Sequence, residues 1–175
     1  MAHGAQPGSV SSGFADHDDF VRFYRRTAGA LHKYVRRIVG EASAADDVVQ
    51  IAYLRMLRAP PMEDRHRRAY LYRAAGTIAI DRWRRERRQQ EFDPDAVPEE
   101  HAWSRLETES ELGRLARGLS HRDYSLLWLA YAEGLAHDEI AAIMGVGEKS
   151  VRVLLSRARE RARAGLQSND GDDGT

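Results

Sequence analysis

The stretch that most constrains this chain runs from Gly134 to Arg163, GLAHDEIAAIMGVGEKSVRVLLSRARERAR. It reads as a short helix from about His137 to Met144, a glycine turn (Gly145, Val146, Gly147) and a longer basic helix from Glu148. Counted from His137, the small Ala141 falls fifth, Gly145 ninth and Val151 fifteenth, while Ile140 and Leu154 fill the apolar fourth and eighteenth places. Two helices that cross closely need a small residue at the crossing. The turn needs a residue that tolerates positive φ, and the second helix needs an aliphatic anchor. Together these are the packing demands of a helix-turn-helix.

At about 100° per residue the second helix separates into two faces. Val151, Leu155, Ala158 and Ala162 form an apolar seam with Leu154 on its flank. Lys149, Arg152, Ser156, Arg159 and Arg163 lie opposite, joined by Val153. An apolar back and a basic, hydrogen-bonding front suit a helix lying in a DNA major groove. An ordinary amphipathic helix with a solvated arginine face is the plainer reading. It leaves the coincidence of five packing positions without a reason.

The formal charge of zero conceals a pattern. Residues 1–92 carry 17 Lys/Arg against 11 Asp/Glu, and residues 93–111 carry one Arg against seven acids. Residues 112–166 carry nine against six, and residues 167–175 add three aspartates. Two basic blocks flanking an acidic strip suggest two surfaces that meet a polyanion, with a segment between them that avoids it. The chain has no cysteine, so it has neither a disulfide framework nor a thiolate metal site. Its seven histidines show no i,i+4 ligand pair. No apolar run approaches the roughly 20 residues of a membrane span. The opening MAHGAQPGSVSSG lacks the basic and apolar regions of a secretory signal, so a disordered leader and a cytoplasmic location are expected.

The remaining periodic runs are helical. Phe20, Phe23, Tyr24, Leu31, Tyr34, Val35 and Ile38 mark one helix, capped by Asp16 and closed by Gly40. A second helix is expected to start at Ser43 with Asp46 in a capping-box position and to end before Pro60-Pro61, with a core stripe of Ala45, Val48, Val49, Ala52 and Met56. A long third helix, RHRRAYLYRAAGTIAIDRWRRERRQQE, buries Leu71, Ala74, Ala75 and Ile78, and Gly76 marks a close approach to a neighbour. Its basic end, Arg82, Arg84, Arg85, Arg87 and Arg88 around Trp83 with Tyr70 and Tyr72 upstream, suits single-stranded nucleic acid, where arginines meet phosphates and rings stack on bases. After the acidic strip, which holds Trp103, comes a helix marked by Leu106, Leu112, Leu115 and Leu119. Another opens at Ser120 and Asp123, with Tyr124, Leu127, Trp128 and Tyr131 as its apolar face and Gly134 as its stop.

The expected architecture is therefore all-α, with two small helical domains joined by an acidic linker, the C-terminal one a helix-turn-helix. The segments are a leader at 1–13, a first domain at 14–91, the linker at 92–111, a second domain at 112–165 and a disordered tail at 166–175.

Two stretches together resemble the bacterial extracytoplasmic-function (ECF) sigma factors of RNA polymerase. DDVVQIAYLRMLR followed by RRAYLYRAAGTIAIDRWRRERR is similar to sigma region two, and LSHRDYSLLWLAYAEGLAHDEIAAIMGVGEKSVRVLLSRARERA to sigma region four. The resemblance implies a specificity subunit, not an enzyme, that needs no cofactor. It implies as partners core RNA polymerase through its β and β′ subunits, promoter DNA and an anti-sigma factor. By the same resemblance Asp47, Gln50 and Leu54 dock on the polymerase. Tyr70, Arg73, Thr77, Trp83, Arg84 and Arg85 hold the melted downstream promoter strand. Lys149, Ser150, Arg152, Val153, Ser156 and Arg157 read the upstream element as duplex, and the acidic linker threads the polymerase. Tyr70 stands where the family usually has Trp, Thr77 where it often has Asn, and the loop Ala59–Arg65 is short and stiffened by Pro-Pro.

A stand-alone helix-turn-helix regulator explains residues 120–163 equally well but leaves Asp47, Gln50 and the basic aromatic helix without a role. A helical enzyme has no recognisable catalytic constellation to support it.

Overall fold

The computed structural model describes residues 14–91 and 119–169. Among them all regular structure is helical: α1 (His17–Val39), α2 (Ala42–Leu57), α3 (Asp64–Glu91), α4 (His121–Leu127), α5 (His137–Met144) and α6 (Glu148–Asn169). A π-helical turn, Trp128–Ala132, prolongs α4. No described helix is long and apolar enough to cross a membrane. The leader, the acidic strip with Trp103, the helix expected around Leu106, Leu112 and Leu115, and residues 170–175 lie outside the described residues. The α6 helix runs to Asn169, into the stretch read as tail.

The first three helices pack as a bundle. Asp16 caps α1 by accepting a 2.8 Å hydrogen bond from the Asp19 amide, and Gly40 ends it at φ 81° with its amide on the Arg36 carbonyl. The expected cap of α2 is wrong. The helix begins at Ala42 without a side-chain cap, so Ser43 lies inside it and bonds Glu41, while Asp46 pairs with His32 across to α1 at 3.0 Å. The α2 stripe is buried as expected, with Ala45, Val48, Val49, Ala52 and Met56 all in the core and Ala44 and Tyr53 added. Tyr53 donates or accepts a 2.7 Å hydrogen bond with the Thr27 hydroxyl, which explains how both polar tips are buried at little cost.

The third helix departs from expectation in its register. Leu71, Tyr72, Ala75 and Ala79 are its fully buried residues, whereas Ala74 and Ile78 are half-buried. Tyr72 is thus a core residue and not a ring offered to nucleic acid. Gly76 does mark a close approach, because a Cβ there would stand 3.1 Å from the Tyr34 phenol oxygen. The N-terminal end of α3 is tied to α1 by Arg67, which donates to Asp19 at 2.8 Å, and by Arg26, which donates to Asp64 at 2.9 Å. Those pairs anchor both the start of the bundle and the far end of the Pro-Pro loop.

The second unit starts at Ser120, whose hydroxyl accepts from the Asp123 amide at 3.1 Å. The Asp123 carboxylate, buried, accepts from Arg161 of α6 at 2.8 and 2.9 Å, so the capping residue also staples α4 to the long helix. Helix α4 with its π-helical turn is covered on more than one side. Ser125, Leu126 and Leu129 are fully buried, and Tyr124 and Trp128 are half-buried on its other side. The expected face therefore names one side of two. Tyr131, read as part of it, projects into solvent at 62% exposure, beyond the reach of either neighbour. Gly134, at φ 61°, ends the element as expected. The two units share one continuous core: Tyr72, Ala75 and Ala79 of the bundle belong to the same buried cluster as Leu126, Leu129, Ile140 and Val151.

Candidate nucleic-acid interface

The helix-turn-helix forms where the spacing places it. Helix α5 spans His137–Met144, with the Glu139 carboxylate accepting from the Ala136 amide at 2.9 Å. Gly145 sits in the left-handed region at φ 65°, the conformation for which a side chain carries a penalty. Ile140, Ala141, Val151, Leu155, Ala158 and Ala162 are buried, and Leu154 is half-buried on their flank. Burying that seam fixes the opposite face outward. Lys149, Ser150, Arg152 and Arg157 are exposed, Ser156 is half-exposed, and Val153 is 50% exposed. All six residues expected to read duplex DNA are thus on one accessible helix. An exposed Val among arginines on an otherwise polar face is well suited to a thymine methyl.

The six residues expected to hold a melted strand are not brought together. Tyr70, Arg73, Thr77 and Arg84 fall within roughly 60° on the α3 wheel, with Arg85 at their edge. Arg73, Thr77, Arg84 and Arg85 are exposed and Tyr70 is half-buried. The Thr77 hydroxyl donates back to the Arg73 carbonyl at 2.9 Å. Trp83 lies on a different side of the helix, in line with Tyr72, Gly76 and Ala79. Its ring meets the His121 ring of α4 edge-on at 4.4 Å. Arg82 is also turned inward, donating to Asp47 at 3.1 Å and to Glu86 at 2.8 Å. Of the basic cluster, the outward cations with a described position are Arg84, Arg85 and Arg88.

On α2, Asp47, Gln50 and Leu54 are all exposed and recur at i, i+3 and i+7, one helical face. Ile51 belongs to the same face at 41% exposure, beside Leu54 at 45%. Tyr24 of α1, 45% exposed, packs its ring 4.8 Å from Tyr53. The exposed Ile51 and Leu54, three residues apart on one face of α2, form an apolar patch of the kind that meets a protein partner. The apolar run of the first helix includes Tyr24, which the fold leaves exposed, and Ile51 has no role in the sequence reading. Ile51 was visible as the i+4 neighbour of Asp47, a large apolar residue off the core stripe.

The two units meet in a mixed seam. The Tyr34 hydroxyl and the Ser125 hydroxyl, 91 positions apart, share a 3.0 Å hydrogen bond with both groups fully buried. Tyr34 stacks on Tyr124 at 6.1 Å, and the Arg37 guanidinium sits 5.7 Å over the Tyr124 ring. Burial pushes the Tyr34 phenol up to about 12, so it stays neutral and can bond Ser125 at any physiological pH. Burial, and then the Glu133 carboxylate facing it, pushes the Tyr72 phenol up as well. His121 is held below its ordinary 6.5, first by burial and then by the Arg37 charge across the seam. Among the described residues no cluster of His, Asp and Glu is arranged to hold a metal.

Residues 23–89 match the family Sigma-70 region 2, and residues 110–161 match Sigma-70, region 4. The chain is 30% identical over 161 residues to the ECF RNA polymerase sigma factor SigL of Mycobacterium tuberculosis, an alignment covering 82% of this chain and 86% of the relative. It is 27% identical over 150 residues to the ferric citrate uptake sigma factor FecI of Escherichia coli, covering 81% and 87%. Two solved structures share the fold. One is the sigma factor RpoE in complex with the anti-sigma factor NepR from Bartonella quintana (TM-score 0.68, 19% identity, 86% of this chain and 98% of that one). The other is CnrH in complex with the cytosolic domain of CnrY (TM-score 0.62, 21% identity, 88% and 91%).

Proposed function

The chain belongs to the extracytoplasmic-function sigma factors of RNA polymerase, and we propose that its two units divide the work on a promoter between them. It is an alternative sigma factor that directs transcription initiation. The α6 face of Lys149, Ser150, Arg152, Val153, Ser156 and Arg157 reads the upstream element as duplex, through phosphate and base-edge contacts. The α3 face of Tyr70, Arg73, Thr77, Arg84 and Arg85 takes the unpaired downstream strand, with Trp83 joining when it is free of His121. The α2 face of Asp47, Gln50 and Leu54, widened by Ile51, docks on core polymerase. The observation that carries this reading is the separation of an exposed apolar patch on α2 from an outward basic face on α6. One suits a protein and the other a polyanion. A chain that works on a bacterial promoter acts in the cytoplasm, and an anti-sigma protein is proposed as a further partner because both solved relatives are bound to a second protein, an anti-sigma factor in the case of RpoE.

Single substitutions separate the roles. Gln50→Ala should weaken capture of core polymerase in a pull-down while leaving duplex binding by the helix-turn-helix intact. Lys149→Ala or Arg152→Ala should do the reverse, lowering promoter affinity and reducing the salt slope by about one. If Gln50→Ala lost DNA binding and Lys149→Ala lost polymerase, the assignment would be inverted.

A further inference from the structure

One glycine in the first helix is required by nothing in the fold. Gly29 lies in the middle of α1 and is exposed, and a Cβ added there would meet no atom within 4 Å. Glycine weakens a helix interior, so an exposed helical position with open space above it is better served by almost any other residue. What surrounds Gly29 is cationic. Arg22, Arg25, Arg26, Lys33 and Arg36 stand at i−7, i−4, i−3, i+4 and i+7 from it, the offsets that share one face of a helix, and His32 completes the pattern at i+3. The chain neighbours Ala28 and Ala30 are small as well, so the centre of this face is shallow and its rim basic. Arg22, Arg25, Arg26 and Lys33 are exposed, and Arg36 is half-exposed. Two of the set are engaged inside the bundle, Arg26 with Asp64 at 2.9 Å and His32 with Asp46 at 3.0 Å. Arg22 lies 3.7 Å from Asp19, a carboxylate that already serves Arg67 at 2.8 Å. The side chains of Arg25, Lys33 and Arg36 form no ion pair among the described residues. From Arg22 to Arg36 the row is about 21 Å long at the rise of an α-helix.

We propose that this face of α1 is a docking surface for the sugar-phosphate backbone of duplex DNA, additional to the α6 recognition face and the α3 strand face. Gly29 lets the backbone come close to the helix, and the cations on either side of it neutralise phosphates. The chemistry of the face selects this occupant. Among the described residues the exposed large apolar side chains lie elsewhere: Tyr24 sits about 140° away on the α1 wheel, and Ile51, Leu54, Tyr131 and Val153 belong to other elements. A protein partner would be met by an apolar centre, which this face lacks. A single strand would need rings on which its bases could stack, and there are none on it. Duplex DNA needs neither, because its interfaces are polar and strongly basic, with most hydrogen bonds going to phosphate and sugar. Contacts of that kind carry no sequence information, so the surface adds affinity and orientation rather than promoter choice. It is a property of the free chain toward any duplex and does not rest on the function proposed above.

Fluorescence anisotropy of a labelled duplex of arbitrary sequence, titrated with the full-length chain across a range of salt, tests the surface without polymerase. Arg25→Ala combined with Lys33→Ala should lower duplex affinity and reduce the salt slope by about two, one for each phosphate contact. Gly29→Leu removes no charge and favours the helix, yet its side chain stands where the DNA backbone would seat. It should weaken duplex binding about tenfold while the urea midpoint stays the same or rises. Both changes should act alike on promoter and unrelated duplexes, and should add to the effect of Arg152→Ala on α6. Unchanged affinity and salt slope in every α1 variant would overturn the proposal and leave a merely solvated face. Loss in the Arg25–Lys33 variant with Gly29→Leu silent would show general attraction without docking, and would overturn it equally. So would a loss confined to an unpaired oligonucleotide, which assigns the face to single strands, or a loss of polymerase capture with duplex binding intact, which assigns it to a protein. Only the chain and duplex DNA are present, so failure here leaves the sigma-factor reading standing, and a chain that makes no specific transcript leaves the α1 surface standing.

Discussion

Gly76→Ala sets two effects of similar size against each other, and the structure decides between them. Alanine in a helix interior is favoured over glycine by about 1 kcal/mol. At position 76, however, the added Cβ would stand 3.1 Å from the Tyr34 phenol oxygen, a contact that requires the neighbour to yield by a few tenths of an ångström. Tyr34 has little room to do so, because its ring is buried against Tyr72 and Tyr124 and its hydroxyl is held 3.0 Å from Ser125. Overpacking in such a setting costs about 1–3 kcal/mol, so the net effect should be a loss of about 1 kcal/mol. The sign should reverse in a Tyr34→Phe background. There the oxygen is gone and the next atom, Cε1 at 3.9 Å, is an ordinary contact. Gly76→Ala should then stabilise by about 1 kcal/mol, the helix propensity alone. Urea denaturation of the four chains, read as midpoints at constant m, measures the coupling directly. Equal effects of Gly76→Ala in both backgrounds, within about 0.3 kcal/mol, would refute the claim that the phenol oxygen sets the fit.

Two other predictions concern the second unit. Asp123→Asn removes a buried carboxylate that serves Arg161, and should cost about 1–2 kcal/mol, the lower part of the range for charge-assisted bonds because Arg161 is largely exposed. Arg161→Ala should then add nothing further in that background, and an additive loss would show the staple to be incidental. The His121 imidazole is held below its ordinary 6.5 by burial and by Arg37, so the folded chain prefers it neutral. Its contribution is therefore full above that ordinary value and is lost as pH falls through the lower folded value. Denaturation midpoints at about pH 7.5 and about pH 5 should differ less in His121→Gln than in the unsubstituted chain, and an identical difference would remove His121 as a source of acid sensitivity.

The legible parts of this molecule are those set by neighbours in the sequence. Helix α5 was read to its terminal residues because a small residue, a left-handed glycine and two aliphatic anchors must recur at fixed spacing for two helices to cross. The exposed face of α6 followed from its buried seam, and the α1 caps followed from Asp16 and Gly40. The start of α2 was misplaced because Ser43 and Asp46 offer a cap on paper, while in the fold Ser43 binds Glu41 and Asp46 reaches His32. Contacts between distant segments were the harder part. A helical wheel separates the faces of α3 but does not say which one meets α1 or α4, so it does not foresee that Tyr72 is buried in the core or that the Trp83 ring meets His121. Helix α4 buries Ser125 and Leu126 on one side and half-buries Tyr124 and Trp128 on another, and the aromatic side is the more conspicuous. Ser125 drew no notice there because its importance comes from Tyr34, far away in the chain. Gly76 was the one local sign of that seam.

The central claim is that this chain confers promoter selection on core RNA polymerase, and run-off transcription tests it most directly. The template should carry start sites mapped after overexpression of the chain. Purified chain with core polymerase should yield a transcript of defined length that core polymerase alone does not make, and both Gln50→Ala and Arg152→Ala should reduce it. A mixture that makes no specific transcript, while the chain still protects a duplex site from cleavage, would contradict the account and leave a DNA-binding regulator in its place.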